Sequence, residues 1–207
     1  MKVVDLAKQL VATKFVTGTE CLQNRQNIVK ISSGSQALDQ MIGGGFHSKS
    51  ITELHGEFRT GKTQLCHTLC VTTQMSKDQG GAEGKVCFID TEGTFRPERV
   101  QEISTNYGFD PETILDNIFW QRVTTHDEQM SCLQQIVALI VGGEPIKLII
   151  VDSLMALFRT EYSGRGELSI RQQKIAQHLR QLQRVADEFN IPVIVTNQMS
   201  ADPGAVC

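Results

Sequence analysis

Residues 56–63 read Gly56-Glu57-Phe58-Arg59-Thr60-Gly61-Lys62-Thr63: a glycine, four intervening residues, then Gly-Lys-Thr. An apolar run at 51–54 precedes this string, and residues 62–74 carry a helical period after it. A glycine-rich turn between a strand and a helix has a specific physical use. The glycines let successive backbone N–H groups curl round phosphate oxygens, and the following helix offers unpaired amides and the positive end of its dipole to the anion. In that arrangement the turn from Gly56 to Gly61 cradles the phosphates, Lys62 reaches the β- and γ-phosphates, and the Thr63 hydroxyl ligates Mg²⁺. The string predicts a nucleoside triphosphate site with Mg²⁺ as its metal.

Outward from the turn, short runs rich in β-branched residues predict strands at 51–54, 86–89, 118–123, 148–151 and 193–196. Segments with helical period lie between them, at 62–74, 97–106, 128–141 and 168–189. In the last of these Leu168, Ile175, Leu179, Leu182 and Phe189 return to one face. Alternating strands and helices predict an α/β fold, a mostly parallel sheet flanked by helices, with its chemistry just beyond the carboxyl ends of the strands. A first helix is expected at 3–14 and a linker-like stretch at 17–31. The division expected is therefore residues 1–31 as a first helix with its linker, then 32–207 as the nucleotide-binding core.

Two strand ends carry acids that fit this chemistry. The run 148–151 ends in Asp152, where a Mg²⁺-holding carboxylate must lie to face the turn at 56–63. Hydrolysis also needs a group that polarises water in line with the γ-phosphate, and the strand at 86–89 delivers two candidates, Glu92 and Asp90. Spacing favours Glu92 and leaves Asp90 as its rival. An Asn-Lys-x-Asp string for guanine is absent, which favours adenine and hence ATP. Asn197-Gln198 follows the last strand; its amides suit either a sensor of the γ-phosphate or a turn cap. Residues 158–167 form a glycine-punctuated loop with two arginines and two aromatics, leading to Arg171 and Lys174. Cations beside aromatics suit a phosphate backbone and bases together.

The rest of the composition narrows the classes. The chain has 207 residues, enough for one sizeable core, and a formal net charge of −3, so any nucleic-acid contact is expected from a local patch. No segment approaches the roughly 18 apolar residues of a bilayer span, and the start lacks the pattern of a secretory signal. A soluble, cytosolic or nuclear protein is expected. Six cysteines without paired Cys-x-x-Cys units and five dispersed histidines fit reduced thiols and structural imidazoles. A small-metabolite kinase would need an acceptor site and a basic lid, and neither is visible.

Four strings together, GEFRTGKT (56–63), DTEGTFRPER (90–99), MALFRTEYSGRGEL (155–168) and TNQMSADPG (196–204), resemble the eukaryotic RecA-like DNA strand-exchange recombinases almost end to end. The last string, with Gln172-Gln173-Lys174, is most similar to the meiosis-specific branch. The resemblance implies a RecA-like ATPase core that binds ATP and Mg²⁺ and forms filaments on single-stranded DNA. It implies pairing with double-stranded DNA, work with recombination accessory proteins, and action in the nucleus without any membrane. By resemblance, Glu92 orients water, Arg99 stacks on adenine, Gln198 senses the γ-phosphate, and Arg159, Arg165 and Arg171 contact DNA. Phe15 matches a tether that inserts into the neighbouring protomer, although Gly18 stands where the family has alanine. Phe119 and Gln121 stand where its receiving strand has small residues, which implies either an altered assembly geometry or a compensating change elsewhere. Against the same family the chain reads as truncated at both ends, lacking a small N-terminal domain and stopping early in a second DNA loop.

Overall fold

In a computed structural model, residues 15–164 and 166–199 are described. The expected helix at 3–14 and the Arg165 DNA contact lie outside them. The elements run α1 (Gly18–Asn24), β1 (Lys30–Ile31), α2 (Gln36–Met41), β2 (Phe46–His47), β3 (Ile51–Gly56), α3 (Lys62–Thr72) and β4 (Lys85–Asp90). They continue through α4 (Pro97–Asn106), α5 (Pro111–Asp116), β5 (Ile118–Arg122), α6 (His126–Val141), β6 (Ile146–Asp152), α7 (Ala156–Glu161), α8 (Leu168–Phe189) and β7 (Val193–Gln198).

Five strands form one sheet in the order β3-β7-β6-β4-β5, every pair parallel. The side-chain period of two explains why the central strands read as unbroken apolar runs. Val86, Phe88, Leu148, Ile150 and Ile194 face a layer holding Cys66, Leu69 and Cys70 of α3. Cys87, Ile89, Ile149, Val151, Val193 and Val195 face the other layer, with Cys132, Leu133 and Ile136 of α6 and Leu182, Val185 and Ala186 of α8. Leu148, Ile149, Ile150 and Val151 are fully buried, each stabilising the fold by roughly 2 kcal/mol. The order of the sheet follows from its crossovers. Two successive connections move the chain toward the β5 edge and place α3, α4 and α5 on one face. The chain then turns back, and α6, α7 and α8 come to the other face, as right-handed crossovers require. All five strands thus send their carboxyl ends to one edge.

The predicted elements form with three corrections. The stretch 17–31 is not a plain linker: α1 forms there, because Thr17 accepts from the Glu20 backbone while the Glu20 side chain accepts from Thr17, a capping box. The loop expected from residue 158 begins only after α7, whose Phe158 is fully buried against His126 and His178. In α8, Leu168 is 48% exposed and stands apart from the packing face, because the first turns of this 22-residue helix lie outside the buried stretch of His178, Leu182, Val185 and Ala186. A two-stranded antiparallel ribbon, β1 with β2, flanks the sheet. Gly45 has φ 119°, and a Cβ there would fall 2.6 Å from the Ile31 carbonyl oxygen, so only glycine allows the ribbon to close. No described helix is long and apolar enough to cross a membrane.

Candidate nucleotide site

The turn from β3 into α3 is built as its sequence requires. Arg59 and Gly61 adopt left-handed conformations, φ 67° and 93°, and no side chain caps the first turn of α3. The helix therefore presents bare amides and the positive end of its dipole. Lys62 curls back over the turn, its Nζ donating to the carbonyl oxygens of Gly56 (2.9 Å) and Glu57 (2.7 Å). It forms no ion pair among the described residues, so its charge is not consumed by a carboxylate. An open cleft runs from Phe58–Gln64 to Glu92, Thr94, Asp152, Ser153, Thr196 and Gln198, joining the carboxyl ends of β3, β4, β6 and β7.

Asp152 is the acid at the floor of this cleft. It is 4% exposed, and three hydroxyls compensate its burial: Thr63 donates to it at 2.7 Å, Thr94 at 3.2 Å, and Thr196 also donates. One carboxylate ringed by hydroxyls, with the Thr63 hydroxyl joining it to the head of α3, is a hard-oxygen set of the kind that suits Mg²⁺. Among the described residues no group of three or more His, Cys, Asp or Glu is placed to hold a metal ion.

Glu92 and Asp90 are set apart by geometry. Glu92 is exposed in the cleft, accepting from Ser153 Oγ at 2.6 Å and from Gln198 Nε2 at 3.1 Å. Asp90 is buried and turned into the loop that follows it. Gln198, at the end of β7, joins the cleft through Glu92, whereas Asn197 donates to Glu53 at 2.9 Å on the neighbouring strand. Arg99 does not line the cleft. It donates to Gln64 at 3.0 Å and pairs with Glu102 at 2.6 Å, so it sits one side chain away.

Beneath the cleft His67 is wholly buried, and its Nε2 accepts the Arg96 backbone N–H at 3.1 Å. Burial pushes this imidazole below its ordinary value. Arg96 and Arg99 act in the same sense, against Asp152 and Asp90. A neutral ring suits its acceptor role. Burial pushes the thiols of Cys66 and Cys70 up and that of Cys87 to about 12, as expected for inert core cysteines.

The arginine segment is anchored to this edge. Arg159 donates to Asn197 Oδ1 at 3.2 Å and to the Gln198 carbonyl oxygen at 2.9 Å, tying α7 to the strand that carries Gln198. Arg171 reaches the Tyr162 carbonyl oxygen at 3.5 Å, and its Nε has no hydrogen-bond partner. Neither aromatic of the segment is a free stacking surface. Phe158 belongs to the core, and the Tyr162 hydroxyl lies 3.0 Å from His126 Nε2. Sequence reasoning missed His126 as the organiser here: its backbone N–H donates to Glu161 at 2.6 Å and its ring Nδ1 contacts the same carboxylate. The Thr125-x-x-Glu128 capping box, which starts α6 at His126, was the available signal. Phe15 is fully exposed ahead of α1, and Phe119 and Gln121 line a groove against Cys132, Ile136 and Leu139 on the sheet-edge strand β5.

The family profile described as Rad51 matches residues 24–207. The chain is 49% identical over 203 residues to the meiotic recombination protein DMC1 homolog of Glycine max, covering 98% of this chain and 59% of that protein. It is 50% identical over 204 residues to meiotic recombination protein DMC1 of Saccharomyces cerevisiae, covering 99% of this chain and 61% of the relative. The chain thus spans about three fifths of the length of the curated relatives it matches.

Proposed function

Because the chain belongs to the Rad51 family, we propose that it is a DNA-dependent ATPase that forms filaments on single-stranded DNA and promotes homologous pairing and strand exchange. The setting proposed is meiotic recombination and double-strand-break repair in the nucleus. The observation that carries this reading is the convergence of four strand ends, with Lys62, Thr63, Asp152, Glu92 and Gln198 round one cleft. Residues 56–61 and the head of α3 hold the phosphates of ATP, and Lys62 leaves the turn's carbonyl oxygens for the β- and γ-phosphates. Thr63 and Asp152 hold Mg²⁺, which when bound neutralises charge on the phosphate oxygens. Glu92 accepts a hydrogen bond from the attacking water and aligns it. Gln198, already bonded to Glu92, senses the γ-phosphate, and Arg159 carries that state to the arginine segment through the end of β7. Arg99 approaches the adenine by leaving Gln64. Arg159, Arg165 and Arg171 contact the DNA backbone, and Phe15 tethers the next protomer.

The test is ATP hydrolysis by the chain at low salt, with and without single-stranded DNA. Stimulation is the expected result, and no stimulation by any DNA would sink the reading. One observation favours a second reading, an ATP-binding accessory of a recombinase that exchanges no strands itself. Phe119 and Gln121 put large side chains on the strand that would receive the tether, and crowding a packed pocket costs about 1 to 3 kcal/mol. Strand exchange and ATP binding measured on one preparation separate the two: binding without exchange leaves the accessory role.

A further inference from the structure

Asp90 and Glu92 leave β4 two residues apart, yet their carboxylates do opposite things. Asp90 is 1% exposed, and its Oδ1 accepts the backbone N–H groups of Glu92 (3.1 Å), Gly93 (2.6 Å) and Thr94 (3.1 Å). Its Oδ2 accepts the N–H of Phe95 at 3.2 Å. Four consecutive amides thus close on one buried carboxylate, and the loop has a single curvature that satisfies them all. Two side chains of β5 complete the shell. Trp120 Nε1 lies 3.4 Å from Oδ2, and Arg122 Nη1 lies 3.1 Å from the Asp90 carbonyl oxygen and 3.5 Å from Oδ1. The same two side chains brace the loop from outside: the Trp120 ring stacks on Phe95 with centroids 6.0 Å apart, and a Cβ on Gly93 would sit 3.6 Å from the Arg122 guanidinium.

An aspartate that caps its own turn is common, and by itself it contributes only stability. What differs here is the cargo of the loop. Glu92 meets Ser153 and Gln198, and Thr94 meets Asp152, so both polar side chains of the loop are aimed at the proposed reaction. A shift of the loop by one hydrogen bond would move them together.

We propose that Asp90 is the positioning residue for Glu92, held by Trp120 and Arg122 of the sheet-edge strand, so that the aim of the water-orienting carboxylate is set from β5. This rests on the ATPase reading above. Asp90 touches no substrate; it acts through the loop. A misplacement of about 1 Å in a reacting group costs up to roughly 100-fold in rate, so the effect belongs in turnover and not in ATP affinity.

The experiment uses the full chain with Asp90→Asn, Arg122→Gln and Glu92→Gln, and measures the affinity of a fluorescent ATP analogue alongside single-turnover ATP hydrolysis. Asp90→Asn is expected to slow hydrolysis about tenfold or more and Arg122→Gln about threefold, with analogue affinity held within about twofold. Placed in the Glu92→Gln background, neither substitution should slow hydrolysis further, because groups acting through one residue are not additive. Wild-type turnover in Asp90→Asn, full additivity with Glu92→Gln, or affinity lost in proportion to rate would each overturn the proposal. Should Asp90→Asn fail to fold, Arg122→Gln and Trp120→Phe carry the same additivity test with the same outcomes. If Glu92→Gln is slow while Asp90→Asn and Arg122→Gln run at the wild-type rate, only the positioning role falls. If Glu92→Gln hydrolyses ATP normally, the water-orienting reading falls and takes this proposal with it.

Discussion

The nucleotide cleft and the arginine segment lie at the same edge of one sheet and are built on different plans. In the cleft the polar side chains have partners: Asp152 is held by three hydroxyls, Glu92 by Ser153 and Gln198, and Lys62 by the carbonyl oxygens of its own turn. In the segment from α7 to the start of α8 the guanidinium groups are only partly used. Arg159 is tethered through Nη2, and Arg171 makes one long contact while its Nε has none. The difference shows how each would recognise a ligand. A strand-end site whose groups are already held suits one small molecule, whereas arginines on α7 and the first turn of α8 that are only partly engaged fit the proposed contact with an extended polyanion.

The sharpest way to break this contrast is at Lys62. Lys62→Ala removes the cation proposed to reach the phosphates, and ATP turnover is expected to fall by roughly 100-fold, read in a phosphate-release assay. Binding of single-stranded DNA in the absence of nucleotide should be nearly unchanged. Arg171→Gln tests the other region: affinity for single-stranded DNA should fall several-fold and the slope of log affinity against log salt should become shallower by about 0.7, as for one lost phosphate contact. Titration of fluorescent oligonucleotide at several salt concentrations reads both, and an unchanged slope would remove Arg171 from the interface.

A third test concerns the floor under the arginine segment. His178 is wholly buried on α8 beside Phe158, with neither ring nitrogen hydrogen-bonded, and burial pushes its imidazole down to about 4. The unfolded chain, with its histidine near 6.5, binds the proton more readily, so stability present above that value is lost as pH falls toward 4. The loss is about 1 kcal/mol per pH unit within that window, and His67 adds in the same direction. Thermal melts at successive pH values should show it, and His178→Leu should flatten the slope. An unaltered slope would move the acid sensitivity elsewhere.

Much of this molecule is legible from sequence because its parallel strands are buried on both faces. The runs at 86–89 and 148–151 could be little else, and the turn at 56–63 fixed which edge carries the cleft. Where reading failed, tertiary packing decided. Phe158 beside Arg159 looks like a stacking platform in sequence, and only the fold reveals that its ring lies beneath α7 with His126 and His178. Spacing favours Glu92 over Asp90 without excluding either; the backward turn of the loop, a matter of four amides, gives the two carboxylates their different surroundings. The helix α1 was within reach, because Thr17-x-x-Glu20 states its own cap.

The place of β3 in the sheet has a consequence for how the chain comes into being. Among the described strands β3 pairs only with β7, joining Ile51 to Val193 across 193 − 51 = 142 positions. A loop that long must close before the phosphate-binding turn has a wall to lean on, and pairing of such remote segments is slow. During synthesis the turn therefore emerges early and waits. Gln198 at the end of β7 lines the proposed nucleotide cleft, so the cleft is complete only once that strand is in place, and a ligand bound there would lock the fold late in its formation.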